Sequence, residues 1–212
     1  MSDDSVRAAL RSDAPLVLIE APAGCGKTHQ GAEYAREMAA AGNSGRLLIL
    51  THTHAACSTF SARTIGVGSR IEIRTIDSVI GQIAAAYHEG LQLPADIAGW
   101  VRQRKEGHAE LALKVAALMN KYPMIASSLV QRHPIVICDE HQDSNGNQHS
   151  VVMALLGQGA KLRVFADPMQ KIFKEKALAG GADPYDWKEL AGQAQAFEQL
   201  DMPHRWAKGC PH

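Results

Sequence analysis

Lys27 and Thr28 close the run Ala21-Pro22-Ala23-Gly24-Cys25-Gly26-Lys27-Thr28, and Asp139 and Glu140 open the run Asp139-Glu140-His141-Gln142-Asp143. The first run has the residue types that hold a phosphate chain. Gly24 and Gly26 carry no Cβ, so the backbone N–H groups around Ala23 and Cys25 can turn inward on phosphate oxygens. Lys27 can reach the β- and γ-phosphates, and the Thr28 hydroxyl can bind Mg²⁺. The strict phosphate-loop pattern has glycine where this chain has Ala21. In the second run Asp139 can hold Mg²⁺, directly or through water. Glu140 can orient the attacking water and take its proton. Each run also has a plainer reading, as a glycine-containing turn with an exposed lysine and as a solvated acidic loop. Together they supply both halves of nucleoside triphosphate hydrolysis.

Such chemistry requires elements that bring the two runs to one place. Short apolar runs at residues 16–19, 47–50, 135–138 and 162–165 read as buried strands, and the alternating run at 71–76 as a strand nearer an edge. Helical spacing fills residues 27–41, 55–65, 77–87 and 147–156, with Asp77 as the expected N-cap of its helix. Strand and helix in alternation imply a parallel α/β sheet with right-handed crossovers. The phosphate run follows a strand and opens a helix. The acidic run follows another strand, so both belong at the carboxyl rim. Residues 88–133 break the rhythm. They contain Pro94, Gly99 and Gly107 and no strand-like run, and Leu111, Val115 and Leu118 keep helical spacing. They read as a small helical insertion, leaving 1–87 and 134–212 as the main domain.

Composition sets the outer bounds. The 212 residues suit one domain with an insertion, and 22 basic against 22 acidic residues give a formal charge of +0, so any nucleic-acid surface is local. Cys25, Cys57, Cys138 and Cys210 form no C-x-x-C pair, which argues against a zinc cluster or a disulfide scaffold and for a reducing cytosol. No apolar stretch reaches the length of a membrane span, and the acidic start lacks a signal peptide's regions, so no membrane partner is expected.

A third strand-and-turn, Leu162-Arg163-Val164-Phe165-Ala166-Asp167-Pro168-Met169-Gln170, completes a pattern. The chain resembles the first RecA-like, P-loop domain of the UvrD/Rep-type superfamily 1 DNA helicases. APAGCGKT is similar to motif I, LTHTHAA from Leu50 to motif Ia, and TIDS from Thr75 to the segment commonly TFHS. DEHQD is similar to motif II, ADPMQKIF from Ala166 to motif III, and Pro203-His204-Arg205-Trp206 to the start of motif IV. The resemblance runs from about Pro15 to Trp206, outside the helical insertion. The chain departs from the pattern at Ala55, where lysine is frequent, at Asp77 in place of histidine, and at Glu175 in place of an aromatic. No glutamine that could read adenine precedes Gln30.

The resemblance implies a motor that hydrolyses ATP with Mg²⁺ to move on single-stranded DNA. It adds Gln170 and Arg205 as γ-phosphate contacts, with Glu140 and Lys27 as the other reacting groups. It places Thr51, Thr53, His54 and Thr75 along the DNA path and Phe173 on the bases. Phe173 reads equally as a core aromatic, and His54 equally as a surface helix cap. The family's second RecA-like domain supplies an arginine worth about 10³–10⁵ in rate. The chain stops before such a domain, so it reads as a fragment of a cytoplasmic helicase, nearly inactive by itself. Two other classes fit the phosphate run alone: a small-molecule kinase, for which the glutamine of the third segment has no role, and a non-catalytic nucleotide switch.

Overall fold

Side chains alternate along the strands, and each face of the sheet meets a different set of helices. Leu16, Leu18, Leu48, Leu50, Val136, Cys138, Leu162 and Val164 enter one buried cluster. Val17, Ile19, Leu47, Ile49, Ile135, Ile137 and Phe165 enter the other. Strands apolar on both faces are what a parallel sheet covered on both sides requires.

The computed structural model describes residues 2–42, 45–170 and 181–201. In chain order these form α1 (Ser2–Arg11), β1 (Leu16–Glu20), α2 (Lys27–Ala40), β2 (Leu47–Thr51), α3 (His54–Arg63), β3 (Ile71–Thr75), α4 (Ile76–Ala86), α5 (Ile97–Arg102), α6 (Gly107–Lys121), α7 (Pro123–Arg132), β4 (Ile135–Cys138), α8 (Gly146–Gly157), β5 (Lys161–Ala166), α9 (Trp187–Gln193) and β6 (Ala196–Gln199). The sheet order is β3-β2-β4-β5-β1-β6, and every neighbouring pair is parallel. This is the α/β architecture of a RecA-like P-loop NTPase. Among the described residues, no helix is long and apolar enough to cross a membrane.

All five predicted strands are present, and β3 lies at an edge as its alternation suggested. A sixth, β6, was not foreseen. Its four residues are alternately half-buried and exposed, so no apolar run announces it. The N-terminal helix α1 was missed as well. Its Val6 and Leu10 are fully buried in the cluster that holds β1. Asp77 is not the N-cap of α4. That role belongs to Thr75, whose hydroxyl accepts the Ser78 N–H, because β3 ends one residue earlier than expected and Ile76 is already helical. The Asp77 carboxylate instead accepts a hydrogen bond from Gln148 Nε2 at 2.8 Å, tying α4 to α8.

The stretch 88–133 contains α5, α6 and α7. Their apolar residues Ile97, Val101, Leu111, Val115 and Met119 share one cluster with Leu48 and Leu162 of the sheet. On the other face, fully buried Arg163 of β5 donates to the carbonyls of Leu10, Ser12 and Ala14, and to that of Leu162. It thereby fastens the end of α1, whose last carbonyls have no partner within the helix, to the sheet.

Candidate active site

The loop after β1 is shaped by two glycines. Gly24 and Gly26 have φ of 84° and 91°, a left-handed conformation that costs a side-chain-bearing residue but not glycine. Gly26 is the N-cap of α2, so the loop delivers its N–H groups and the positive end of a 14-residue helix to one spot. Ala21 is absent from the positive-φ positions and fully buried, so the departure from glycine there requires no unusual backbone. Its N–H donates to the Ala166 carbonyl at the end of β5, which anchors the loop to the adjacent strand. Ala23 is exposed, Gly24, Gly26 and Thr28 are half-buried, and Cys25 is buried with its thiol pushed above the usual range by burial.

Lys27 is buried at 5% exposure. Its ammonium donates to the Ala21 carbonyl at 2.9 Å and lies 3.4 Å from Glu140 Oε2. The two runs separated by more than a hundred residues therefore meet within one ion pair, at one rim of the sheet. Asp139 follows β4 directly, its N–H donating to the Leu50 carbonyl of β2. It is 4% exposed, and its Oδ1 is buried with no hydrogen-bond partner. Burial, with Glu140's charge added, pushes its carboxyl up to about 7, against the pull of Lys27. A buried acceptor left open beside a phosphate loop fits a divalent cation. Mg²⁺ takes one or two protein ligands and fills its other positions with water and phosphate oxygens, so Asp139 and Thr28 suffice. Larger clusters of histidine, cysteine or acidic side chains suited to a metal are absent among the described residues.

Among the described residues, Glu140 is one of two non-glycine residues with positive φ, at 51°. Strain of this kind persists only where surrounding contacts enforce it. The turn is closed by the Asp143 N–H on the Glu140 carbonyl and the Ser144 N–H on the His141 carbonyl, and Gln142 ties its side chains together. Gln142 Nε2 donates to Glu140 Oε2 at 2.8 Å, and its Oε1 accepts the Asp167 N–H at 2.9 Å. Asp167 Oδ2 in turn accepts from Gln170 Nε2 at 2.8 Å. The segments after β4 and β5 are thus one polar chain, Glu140–Gln142–Asp167–Gln170. Gln142 was quoted within its motif but given no role. The signal in the sequence is a glutamine two residues after Glu140; that it is buried, and so must find partners on both sides, only the structure shows.

The residues expected along a nucleic-acid path divide into two kinds. Thr53 and His54 are exposed at the start of α3, where Thr53 caps the helix by accepting the Ala56 N–H. Thr51 and Thr75 are buried at 1% and 8% exposure. The Thr51 hydroxyl donates to the Thr53 carbonyl, and that of Thr75 caps α4. These two shape the edge from inside. Phe173 and Arg205 lie outside the described residues.

Comparison with known proteins gives one family. A family model described as an AAA domain matches residues 5–175, which span the phosphate loop, the acidic run and the third segment. No curated protein matches the chain.

Proposed function

The chain belongs to that AAA-domain family of P-loop NTPases, and from this premise we propose that it is the ATP-hydrolysing motor domain of a superfamily 1 type DNA helicase or translocase. The observation that carries the reading is the hydrogen-bonded chain from Glu140 through Gln142 and Asp167 to Gln170. A phosphate loop and an acidic pair serve any triphosphatase. A glutamine in the turn after the neighbouring strand, wired to the catalytic carboxylate, serves an enzyme whose hydrolysis answers to something outside the nucleotide.

In this reading Lys27 and the loop amides from Ala23 to Thr28 bind the phosphates, and Thr28 and Asp139 hold Mg²⁺. Bound there, the cation supplies charge neutralisation on the β- and γ-phosphate oxygens. Glu140 moves off Lys27 once phosphate takes the lysine, and it then orients water and accepts its proton. Gln170 faces the γ-phosphate side, and Arg205 approaches it from beyond the described residues. Single-stranded DNA crosses the rim over Thr53 and His54, on an edge set by Thr51 and Thr75, with Phe173 stacking on a base. A second RecA-like domain closes the site from its open side.

The test is steady-state ATP hydrolysis with and without single-stranded DNA, in a polypeptide extended to include a second RecA-like domain. DNA is expected to raise turnover, and Glu140→Gln to lower it about 10²–10⁴-fold with nucleotide binding retained. Lys27→Ala is expected to abolish binding. The 212-residue chain alone is expected to bind Mg²⁺-ATP and turn it over very slowly. Indifference to every DNA tested, with ATP hydrolysis intact, overturns the motor reading and leaves the NTPase.

A further inference from the structure

Three histidines and a serine form a continuous hydrogen-bonded line beside the acidic run. The Ser144 hydroxyl lies 3.1 Å from His52 Nε2 and 3.2 Å from His141 Nδ1. On its other side, His141 Nε2 lies 3.0 Å from His149 Nδ1. His149 stacks on Tyr185 with ring centroids 4.3 Å apart and planes 14° from parallel, and the Tyr185 hydroxyl donates to the His141 carbonyl at 2.6 Å. The line starts at His52, directly after β2 and two residues before α3. It passes the turn that follows Glu140 and ends on α8. Ser144 and His141 are buried at 1% and 2% exposure.

Donors and acceptors in this line are interdependent. With all three rings neutral, the order His52 to Ser144 to His141 to His149 satisfies every contact with donors pointing one way. The reverse order satisfies every contact as well. A third order exists when His52 donates, because Ser144 can accept from both neighbours; when His52 accepts, Ser144 spends its one hydrogen there, and His141 and then His149 must donate in turn. A change of His52 from donor to acceptor therefore fixes the order as far as His149. His52 is suited to neutrality, since burial pushes its pKa below the usual histidine value, with Asp143, Asp77 and Glu140 opposing. His141 is also the residue after the strained Glu140. It is held by both ring nitrogens and by its carbonyl, so its placement fixes the turn.

We propose that His52, Ser144, His141 and His149 act as one hydrogen-bonded positioning chain that carries single-strand contact at the β2 edge to the turn holding Glu140. The inference rests on the DNA path proposed above. It assigns His52, Ser144, His141 and His149 a positioning role rather than a catalytic one. It also gives the edge a route to Glu140 separate from the Gln142–Gln170 link.

The test uses the uniformly ¹⁵N-labelled 212-residue chain, whose histidine ring nitrogen shifts report which nitrogen carries hydrogen and whose amides report Thr53 and Glu140. An oligothymidylate of about a dozen nucleotides, a length spanned by single-strand sites, is titrated in. In the unaltered chain the rings of His52, His141 and His149 and the Glu140 amide are expected to shift with a common midpoint. In Ser144→Ala, His52 should still respond, while the His141, His149 and Glu140 responses fall about fivefold or more. Ser144→Thr, which restores the hydroxyl, should return them. A purely structural serine predicts no selective loss and no rescue. Should Ser144→Ala not fold, His52→Phe removes the first bond of the line and must silence His141, His149 and the Glu140 amide while Thr53 and His54 still respond. Responses at His52 that never reach His149, or that reach it undiminished in Ser144→Ala, overturn the chain alone. Silence at His52, Thr53 and His54 together overturns the DNA path and the chain with it.

Discussion

Two charged side chains lie buried at opposite rims of the same sheet, and they are treated in opposite ways. Arg163, near the amino rim, is fully enclosed and makes four hydrogen bonds to backbone carbonyls, with its guanidinium 5.6 Å from the Tyr34 ring centre. Asp139, at the carboxyl rim, is almost as deep, yet one oxygen has no partner. Burying a charge is tolerated when its donors or acceptors are satisfied and is costly when they are not. A rim that exists for stability closes every such valence. A rim that exists to receive a ligand leaves one open, and the cost appears as the raised carboxyl of Asp139.

The sharpest way to break this comparison is to remove the charge at each rim while keeping its bulk. Arg163→Met leaves the carbonyls of Leu10, Ser12 and Ala14 without their donor and is expected to lower the unfolding free energy by about 3 kcal/mol or more, measured by urea denaturation. Nucleotide affinity should be little changed in the fraction that folds. Asp139→Asn is the opposite case. It should weaken Mg²⁺-dependent nucleotide binding by about 10-fold to 100-fold, read by fluorescent-nucleotide titration with and without Mg²⁺. Its urea midpoint should match or exceed that of the unaltered chain near neutral pH. Equal stability losses in the two variants would show that the rims are not different in kind.

Acidity sharpens the same contrast. The Asp139 carboxyl moves from an ordinary value of 3.8 to about 7 on folding, so the folded chain holds an extra proton between those values. Its contribution to stability is therefore greatest below the lower value. It is lost as pH rises to about 7 and is constant above. Urea midpoints at about pH 5 and about pH 8 should separate more in the unaltered chain than in Asp139→Asn, which has no proton to lose. The difference between the two chains cancels the other titrating groups.

The smallest effect concerns a cap at the carboxyl rim. Thr75→Ala should cost about 1 kcal/mol, because it removes the acceptor for the Ser78 N–H. Asp77→Ala should cost less, since it releases the Gln148 amide rather than a helix end. Thermal melts of the two variants rank them.

Much of the site was legible because its parts are local. Gly24, Gly26, Lys27 and Thr28 are neighbours in the chain, and the left-handed turn they need is one that glycine alone adopts freely. The apolar runs around residues 16–19 and 135–138 fixed the strands that precede both chemical segments, and the composition of those runs required a sheet covered on both faces. What was misread lay where local preference is ambiguous. Asp77 and Thr75 are both good caps, and only the pairing of β3 with β2, which ends at Thr75, decides between them. A four-residue edge strand such as β6 has too little apolar periodicity to be seen, and it exists because β1 offers it an open edge.

Sequence alone thus determined the candidate reacting groups, the order of the first five strands along the chain and the rim to which both runs belong, since each follows from residue type and short-range spacing. Tertiary structure decided the rest: that Lys27 faces Glu140, that Gln142 joins two segments, that His52 and His149 share a line through Ser144, and that Arg163 is saturated while Asp139 is not. These are distances between residues far apart in the chain. Only the register of parallel strands and the packing of helices across them set such distances, because no local preference along the backbone specifies what a side chain meets across the sheet.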